Sequence, residues 1–159
     1  MQNDTIVKHL NFGIEARDKV FEGIKKLTKA VSSTLGASGK CVMLEDGVGN
    51  PTITKDGVTV ADSVLLLDPV ENMGVKLLKE AARKTVKEAG DGTTTATVLA
   101  YAILEEAYKI TENTRDLKNG INSAVDKVIE YLENITKEIS GSKIDQVATI
   151  SSNNDKILG

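Results

Sequence analysis

Residues 90–97 read Gly-Asp-Gly-Thr-Thr-Thr-Ala-Thr and separate two stretches in which apolar residues recur at helical spacing. Gly90 is placed to end the first helix in the left-handed conformation, and Gly92 lets a ligand approach the main chain because it has no Cβ. The threonines open the second helix, whose first N–H groups lack partners and whose dipole favours negative charge. The stretch therefore predicts an anion site made mostly of backbone, to which three hydroxyls can add hydrogen bonds.

A carboxylate at Asp91 is unexpected in an anion site, because it would repel a phosphate directly. Mg²⁺ resolves this conflict, since it typically binds one or two carboxylates together with phosphate oxygens. The residues thus favour a Mg-nucleotide site. The simpler alternative is a plain turn followed by threonine N-caps. Three consecutive threonines weigh against it, because β-branched residues are mediocre helix formers.

The composition of the 159-residue chain indicates one soluble domain with an aliphatic core, since 40% of residues are hydrophobic and 27% charged. Aromatic residues make up only 3% and the net charge is −3, so we expect no nucleic-acid partner. Cys41 is the only cysteine, which excludes an intrachain disulfide and favours a reducing compartment. We see no signal peptide and no apolar run of ~20 residues, so we expect a cytoplasmic protein without a membrane partner.

The apolar pattern predicts a mainly helical domain with a small β-hairpin. Helices are expected over about 13–34, 58–64, 69–89, 93–111 and 114–138, a short amphipathic piece over 144–150, and strands at 41–44, 52–54 and, very short, 6–7. Asp68, Pro69 and Glu71 form a strong helix start, with Asp as N-cap, Pro at N1 and Glu at N3. An isolated hairpin is marginally stable, so it must lie on the helices or be completed from elsewhere, such as another subunit.

Two helical apolar stripes are expected to contribute to the core. The first comprises Ile14, Val20, Phe21, Ile24, Leu27, Val31 and Leu35. The second comprises Leu117, Ile121, Ala124, Val128, Leu132 and Ile135.

Two other glycine-containing loops are candidates for phosphate binding. Lys55-Asp56-Gly57 directly follows the second predicted strand, where lysine would bind phosphate and aspartate would activate water, although a charged turn is the commoner outcome for such a tripeptide. Residues 36–40 approach a Walker A loop, but Thr34 stands where its first glycine belongs and a cysteine follows the lysine. Thr95 likewise replaces the third glycine of a dinucleotide fingerprint, so P-loop and Rossmann enzymes are disfavoured.

Three blocks of the sequence resemble the group I chaperonins, the GroEL-like ATP-driven folding machines. They are Asn50-Pro-Thr-Ile-Thr-Lys-Asp-Gly57, Glu71-Asn-Met-Gly74 and Ala89-Gly-Asp-Gly-Thr-Thr-Thr-Ala-Thr-Val-Leu99, and residues 34–36 and 147–153 agree with them. The resemblance runs from about residue 11 to the C-terminus. It implies a mainly α fold, a multi-helix fragment of the chaperonin equatorial (ATPase) domain with a small β-hairpin.

The resemblance also implies a domain division. Residues 1–138 would be the N-terminal part of the equatorial ATP-binding domain, and residues 139–159 would be the start of the intermediate domain, with its first strand. The apical domain, the C-terminal equatorial half and a second catalytic aspartate from the intermediate domain would be absent from this chain.

The nucleotide site follows from the same resemblance. Asp91 would hold Mg²⁺, Asp56 would position the attacking water as the catalytic residue, and Lys55 would lie near the phosphates. The other ATP contacts would be Thr34, Leu35, Gly36, Ala37, Gly92, Thr93, Thr94 and Thr95. ATP and Mg²⁺ are the implied cofactors, with K⁺ as a further candidate. The family usually has Pro-Lys where Ala37 and Ser38 stand, which removes a fixed φ but leaves backbone contacts available.

The implied function is that of an ATP-dependent chaperonin subunit, or its N-terminal fragment, that assists protein folding. ATPase activity is expected of a complete subunit, whereas the activity of the 159-residue chain stays open. The implied partners are further copies in a stacked double ring, a co-chaperonin and unfolded client proteins, with the hairpin at 41–54 joining strands of a neighbouring subunit. The alternative is a non-enzymatic helical fragment that only interacts with chaperonin rings.

Overall fold

The computed structural model describes residues 10–36, 38–45, 48–110, 113–152 and 157. The elements in this part are α1 (Gly13–Ser32), β1 (Val42–Glu45), β2 (Pro51–Thr54), α2 (Gly57–Ser63), α3 (Pro69–Ala89), α4 (Thr93–Lys109), α5 (Thr114–Ile135) and α6 (Ser142–Ser151). The predicted mainly helical fold with one small hairpin is confirmed, while the short strand expected at 6–7 lies outside the described residues. No described helix combines the length and the apolar character that crossing a membrane requires.

The chain forms two compact units, Met1–Glu106 and Ala107–Gly159. This division does not test the predicted domain boundary at residue 138, which stays a prediction. The core of the first unit lies where α1, α2 and α3 meet, and it is aliphatic as the composition predicted. It consists of Ile24, Leu27, Val31, Val60, Ala61, Val75 and Leu78.

The predicted apolar stripe of α1 is buried only in its second half. Ile24, Leu27 and Val31 are buried, whereas Ile14 is 70% and Leu35 is 44% exposed. Ile14 lies in the first turn of α1, and Leu35 lies beyond the last helical residue. Assigning both residues to the core was therefore wrong, because the helix ends before Leu35 and the core does not extend to the first turn.

The backbones of α1 and α3 touch at two glycines. A Cβ on Gly23 would overlap the carbonyl oxygen of Glu71, and a Cβ on Gly74 would overlap the carbonyl oxygen of Val20. Glycine costs about 1 kcal/mol relative to alanine inside a helix. The close approach of two backbones explains why α1 and α3 carry it here.

Both ends of α3 have the caps that the sequence predicted. The Asp68 carboxylate accepts hydrogen bonds from the N–H groups of Val70 (2.8 Å) and Glu71 (3.2 Å), and it pairs with Lys19 Nζ at 3.1 Å. Pro69 follows at the first helical position. Gly90 ends the helix in the left-handed conformation with φ 76°, and its N–H donates to the Val86 carbonyl at 2.9 Å.

The predicted hairpin is confirmed, with β1 antiparallel to β2. Val42 is opposite Thr54 and Met43 is opposite Ile53. Val42 packs against the core, whereas Met43 and Ile53 are 70% and 65% exposed. One face of the hairpin therefore rests on the helices while the other presents an apolar pair.

The second unit contains α5, whose start follows the predicted capping. The Asn113 side chain accepts a hydrogen bond from the N–H of Arg115 at 2.9 Å. The helix ends at Ile135, three residues before the predicted limit, because Thr136 is already extended with ψ 135°. The predicted stripe of α5 has helical spacing, but none of the helix's residues is buried. Assigning this stripe to a core was wrong for this chain.

Residues 142–151 form α6, although the resemblance implied a strand after residue 139. The strand prediction is therefore wrong for the described residues. Ile144, Val147 and Ile150 recur every third residue, which suits a helix face and not the two-residue alternation of a strand. The amphipathic piece predicted over 144–150 lies within this helix.

The glycine contact between α1 and α3 predicts that a Gly→Ala substitution, which normally stabilises a helix, destabilises the chain at this crossing. Gly74→Ala should lower the free energy of unfolding by about 1–3 kcal/mol through overpacking, despite the better helix propensity of alanine. Gly120→Ala in α5 is the matched control, because nothing lies within 4 Å of its added Cβ. The control should not destabilise the chain. Urea unfolding followed by circular dichroism measures both, and stabilisation by Gly74→Ala would contradict the contact.

The cap of α3 predicts a pH effect. The bond to Lys19 and the two backbone N–H bonds lower the pKa of Asp68 below its ordinary 3.8. A carboxyl with a depressed folded-state pKa contributes stability above pH 3.8 that is lost as pH falls through the folded pKa. Asp68→Ala should therefore lower the thermal midpoint at neutral pH, and its deficit should shrink in acid. Asp68→Asn, which keeps a capping oxygen, should lose less. A deficit independent of pH would contradict the assignment.

Candidate functional site

Three separate segments of the first unit converge on the side chain of Thr94. Thr34, just after α1, and Thr94, in the first turn of α4, have their Oγ1 atoms 3.3 Å apart. Gly57, the first residue of α2, lies so close that an added Cβ would overlap Thr94 Oγ1. The fold thus brings together the three loops that the sequence analysis singled out, at residues 34–36, 55–57 and 90–95.

The hydrogen-bond directions at Thr94 can be worked out from its partner. The Thr34 hydroxyl donates its single proton to the Val31 carbonyl oxygen at 2.8 Å. A hydroxyl has only one O–H donor, so Thr94 must be the donor to Thr34. The Thr94 proton is therefore engaged with Thr34, and the lone pairs of the Thr94 oxygen can face a cation or a donor. A phosphate would need the Thr94 hydroxyl to rotate before it could accept that proton.

The amino end of α4 has the open geometry of an anion site. Gly92 has φ 86°, and its carbonyl oxygen accepts the N–H of Ala96 at 2.9 Å, so it directly precedes the helix. The first helical N–H groups, those of residues 93–95, cannot find an acceptor within the helix, and the dipole makes this end positive. These donors can bind the oxygens of a phosphate.

The three threonines of residues 93–95 have different surroundings. Thr93 is buried, at 6% exposure, Thr94 is half-buried, and Thr95 is exposed. The Thr93 carbonyl also accepts a hydrogen bond from Thr97 Oγ1 at 2.8 Å, and Thr97 is 1% exposed. Thr93 is thus the least accessible of the three threonines, and the expected set of three ligand hydroxyls stays a prediction. The spacing of four residues between Thr93 and Thr97 places the two on the same face of a helix, which is the sequence feature that indicates this bond.

Asp91 lies in the loop between α3 and α4 with its side chain exposed. Its Oδ1 accepts a hydrogen bond from the N–H of Gly92 at 2.6 Å, which holds the carboxylate beside the start of α4. It is the only acidic residue among residues 90–97. A single exposed carboxylate next to backbone N–H donors and hydroxyls is a donor set that fits a Mg²⁺ ion bridging to phosphate oxygens.

Asp56 is the N-cap of α2. Its Oδ2 accepts hydrogen bonds from the backbone N–H and the hydroxyl of Thr59, at 2.8 and 2.5 Å. The N–H of Asp56 donates to Thr54 Oγ1 at 3.0 Å. These bonds fix the carboxylate at the edge of the loop whose next residue touches Thr94. Lys55, one residue earlier, is exposed.

The loop after α1 is closed by its own backbone. Gly36 has φ 75°, its carbonyl oxygen accepts the N–H of Gly39 at 2.9 Å, and the N–H of Lys40 donates to the Ser33 carbonyl oxygen at 2.8 Å. A Cβ on Gly39 would overlap the Thr34 carbonyl oxygen. Leu35 and Gly36 are exposed at the surface of this loop, and Ala37 lies outside the described residues.

Two glycines of the site escaped the sequence analysis as functional positions. Gly57 was noted only as part of a tripeptide, and Gly39 only as part of a failed Walker pattern. Each contacts a residue at least five positions away in sequence, so spacing alone could not reveal its role. For Gly57, the contact is with Thr94, a residue 37 positions later in the sequence.

Comparison with known proteins was made for the family, for curated relatives and for solved structures. The profile of the TCP-1/cpn60 chaperonin family matches residues 27–158. The chain is 50% identical over 156 residues to Heat shock protein 60 of Emericella nidulans, and 51% identical to mitochondrial Heat shock protein 60 of Saccharomyces cerevisiae. These alignments cover 96% of this chain but only 26% and 27% of the relatives, so the chain spans about a quarter of their length.

Two crystal structures of the chaperonin gp146 from the bacteriophage EL 2 (Pseudomonas aeruginosa), both in presence of ATP-BeFx, have the same fold. Crystal form II aligns with a TM-score of 0.78 over 90% of this chain and 26% of that one. Crystal form I aligns with a TM-score of 0.79 over 92% and 27%. Sequence identity is 34% in both alignments.

The helices, the hairpin and the loop arrangement are those of a chaperonin equatorial-domain fragment. The chain belongs to the TCP-1/cpn60 chaperonin family, and the predicted kinship with the N-terminal portion of group I chaperonins is confirmed. The cytoplasmic location stays a prediction, and the Saccharomyces relative is named as mitochondrial.

The contact between Gly57 and Thr94 predicts a specific energetic coupling. Gly57→Ala should destabilise the chain in the native background and in Thr94→Val, where a methyl group occupies the position of Oγ1. In Thr94→Ala the obstructing atom is absent, so the same substitution should cost less, by a coupling free energy of about 0.5–3 kcal/mol. Urea unfolding of the single and double variants measures the coupling. An equal cost in all three backgrounds would show that the two residues do not touch.

Proposed function

We propose that this chain is the nucleotide-binding portion of a chaperonin subunit and that it binds Mg-ATP at the loop between α3 and α4. The observation that carries the proposal is the convergence of Thr34, Gly57 and Thr94. Residues of three loops that contain predicted ligand residues meet there, beside the open amino end of α4. A triphosphate needs several donors from different directions, and a single loop does not supply them.

Each residue has a role that follows from its surroundings. The N–H groups of Thr93, Thr94 and Thr95 bind phosphate oxygens, Asp91 is the ligand of Mg²⁺, and Lys55 offsets phosphate charge from the neighbouring loop. Mg²⁺, when bound, neutralises charge on the phosphates. K⁺ is a further candidate cofactor, and a hydroxyl oxygen such as that of Thr94 is a ligand that suits it.

Asp56 is the proposed catalytic residue, and Leu35, Gly36 and Ala37 are proposed contacts on the far side of the nucleotide. The two hydrogen bonds from Thr59 restrain the Asp56 carboxylate. A carboxylate held in one orientation can position a water molecule for attack. Catalysis of this type relies on positioning and electrostatics. A complete subunit would be the ATPase, and the 159-residue chain on its own would bind nucleotide at best weakly.

The gp146 structures support the nucleotide proposal. That chaperonin was crystallised in presence of ATP-BeFx, and it shares 34% sequence identity and the fold with this chain over nine-tenths of its length. At this similarity we expect the loops after α1, before α2 and before α4 to occupy equivalent places in the two folds. The ligand chemistry proposed here is therefore compatible with the nucleotide present in those crystals.

The proposed biological role is assistance to protein folding within an oligomer. Further copies in a stacked double ring, a co-chaperonin and unfolded clients are the proposed partners. The hairpin is the proposed contact with a neighbouring subunit, because Met43 and Ile53 form an exposed apolar pair on a sheet of only two strands in the described residues. A third strand would stabilise such a hairpin.

A second candidate is a non-enzymatic fragment that only interacts with chaperonin rings. The observation that favours it is α5, which has apolar residues at helical spacing and buries none of them. This candidate needs no nucleotide, so a substitution in the nucleotide loop distinguishes it from the first.

Asp91→Ala tests the proposed site. Removing the magnesium ligand should weaken Mg-ATP binding at least roughly tenfold, since interactions with a charged group are worth about 1.5–3 kcal/mol. It should also remove most of the difference between titrations with and without Mg²⁺. Asp116→Ala is the matched control, because Asp116 is also an acidic residue near a helix start, in the first turn of α5. Isothermal titration calorimetry on the whole chain measures all three proteins.

Equal binding by Asp91→Ala and the unaltered chain would contradict the site. Failure of the unaltered chain to bind Mg-ATP, together with binding to a chaperonin ring that Asp91→Ala leaves intact, would favour the second candidate. Thermal unfolding of each variant, run in parallel, shows whether a loss of binding reflects a loss of folding.

A further inference from the structure

The peptide bond between Asp91 and Gly92 joins a carboxylate and an amide that already lie against each other. Gly92 N is 2.6 Å from Asp91 Oδ1. The Asp91 side chain is exposed, and Gly92 has no Cβ that would hinder an approach to its nitrogen.

We propose that Asp91 is a site of spontaneous isomerisation to isoaspartate in the folded chain. The nitrogen of Gly92 forms a bond to Asp91 Cγ, and one carboxyl oxygen leaves as water with the amide hydrogen and the carboxyl proton. The product is a five-membered succinimide ring. Addition of water at the former main-chain carbonyl opens the ring so that the chain continues through Cγ, which is isoaspartate. Addition at Cγ restores aspartate. Water is the only co-reactant.

The short contact favours the first step. The carboxyl carbon is bonded to the oxygen that touches the nitrogen, so a rotation about the Cα–Cβ bond can bring this carbon to Gly92 N. The loop that holds both residues lies between the end of α3 and the start of α4. Closure of the ring therefore requires a local change in one short loop and leaves both helices in place.

A second Asp-Gly pair in the chain, Asp56–Gly57, provides an internal comparison with the opposite environment. The Asp56 carboxylate is held by the N–H and hydroxyl of Thr59. Gly57 is buried, begins α2 and lies against Thr94 Oγ1. Ring closure there would have to break the cap of α2 and displace a packed backbone. The fold thus exposes one Asp-Gly pair to the reaction and protects the other.

Isomerisation would change the geometry of the proposed site. It adds a methylene to the main chain just before α4 and leaves the remaining carboxylate attached directly to Cα. Because Asp91 is the proposed magnesium ligand, the product would lose that ligand. This consequence depends on the proposed function, whereas the isomerisation itself does not.

The test is site-resolved mapping of isoaspartate. The whole chain is incubated at neutral pH and body temperature for several weeks, in native buffer and in urea, and digested with trypsin. The Asp91 pair falls in the peptide 88–109 and the Asp56 pair in the peptide 56–76. A third pair, Asp46–Gly47, lies outside the described residues and falls in the separate peptide 41–55. Electron-transfer fragmentation identifies isoaspartate in each peptide.

In native buffer, isoaspartate should accumulate at Asp91 at least about tenfold faster than at Asp56, a ratio that corresponds to roughly 1.4 kcal/mol of local opening. In urea the two rates should converge, because the protection of Asp56 comes from the fold. Native rates at Asp91 that do not exceed those at Asp56 would overturn the proposal, whether or not the chain binds nucleotide.

Asp91→Glu serves as the chemical control. Glutamate keeps the charge but would have to close a six-membered ring, so the isoaspartate signal of peptide 88–109 should disappear. An isoaspartate signal that persists in peptide 88–109 of the variant would overturn the assignment to Asp91.

Discussion

The arrangement of the first unit depends on the direct contact between the backbones of α1 and α3 at Gly23 and Gly74. Because no side chain separates the helices there, the aliphatic residues on either side of the crossing can interlock and α2 can pack across them. The crossing also fixes how α1 and α3 lie against each other. The loops that follow these two helices depend on this packing for their relative positions, so the candidate site depends on how closely the two helices pack.

The described residues proposed to contact nucleotide lie in loops or in the first turn of α4, and none belongs to the core cluster. The rigid part of the fold supplies positions, and the loops supply chemistry. Thr94 links the two, since it belongs to the first turn of α4 while its hydroxyl donates to Thr34 and its Oγ1 lies against Gly57.

Local signals in the sequence were sufficient for both ends of α3. Asp68 and Pro69 predicted the start of α3, and Gly90 predicted its end, because caps are determined by the residues that form them. Contacts between residues far apart in sequence could not be predicted from local signals. The Gly57–Thr94 contact needs the folded chain, and the stripe of α5 has the spacing of a core face without a covering surface. The strand expected after residue 139 came from kinship and was wrong, although the spacing of Ile144, Val147 and Ile150 favoured a helix.

The central claim is that phosphate oxygens bind the amino end of α4. Amide chemical shifts of the ¹⁵N-labelled whole chain, recorded during titration with Mg-ADP and Mg-ATP, test it most directly. The account predicts saturable shifts that are largest at the amides of residues 92–95, extend to residues 34–36, and diminish when Mg²⁺ is removed. Shifts spread evenly over exposed residues, or confined to α5 and α6, would contradict it.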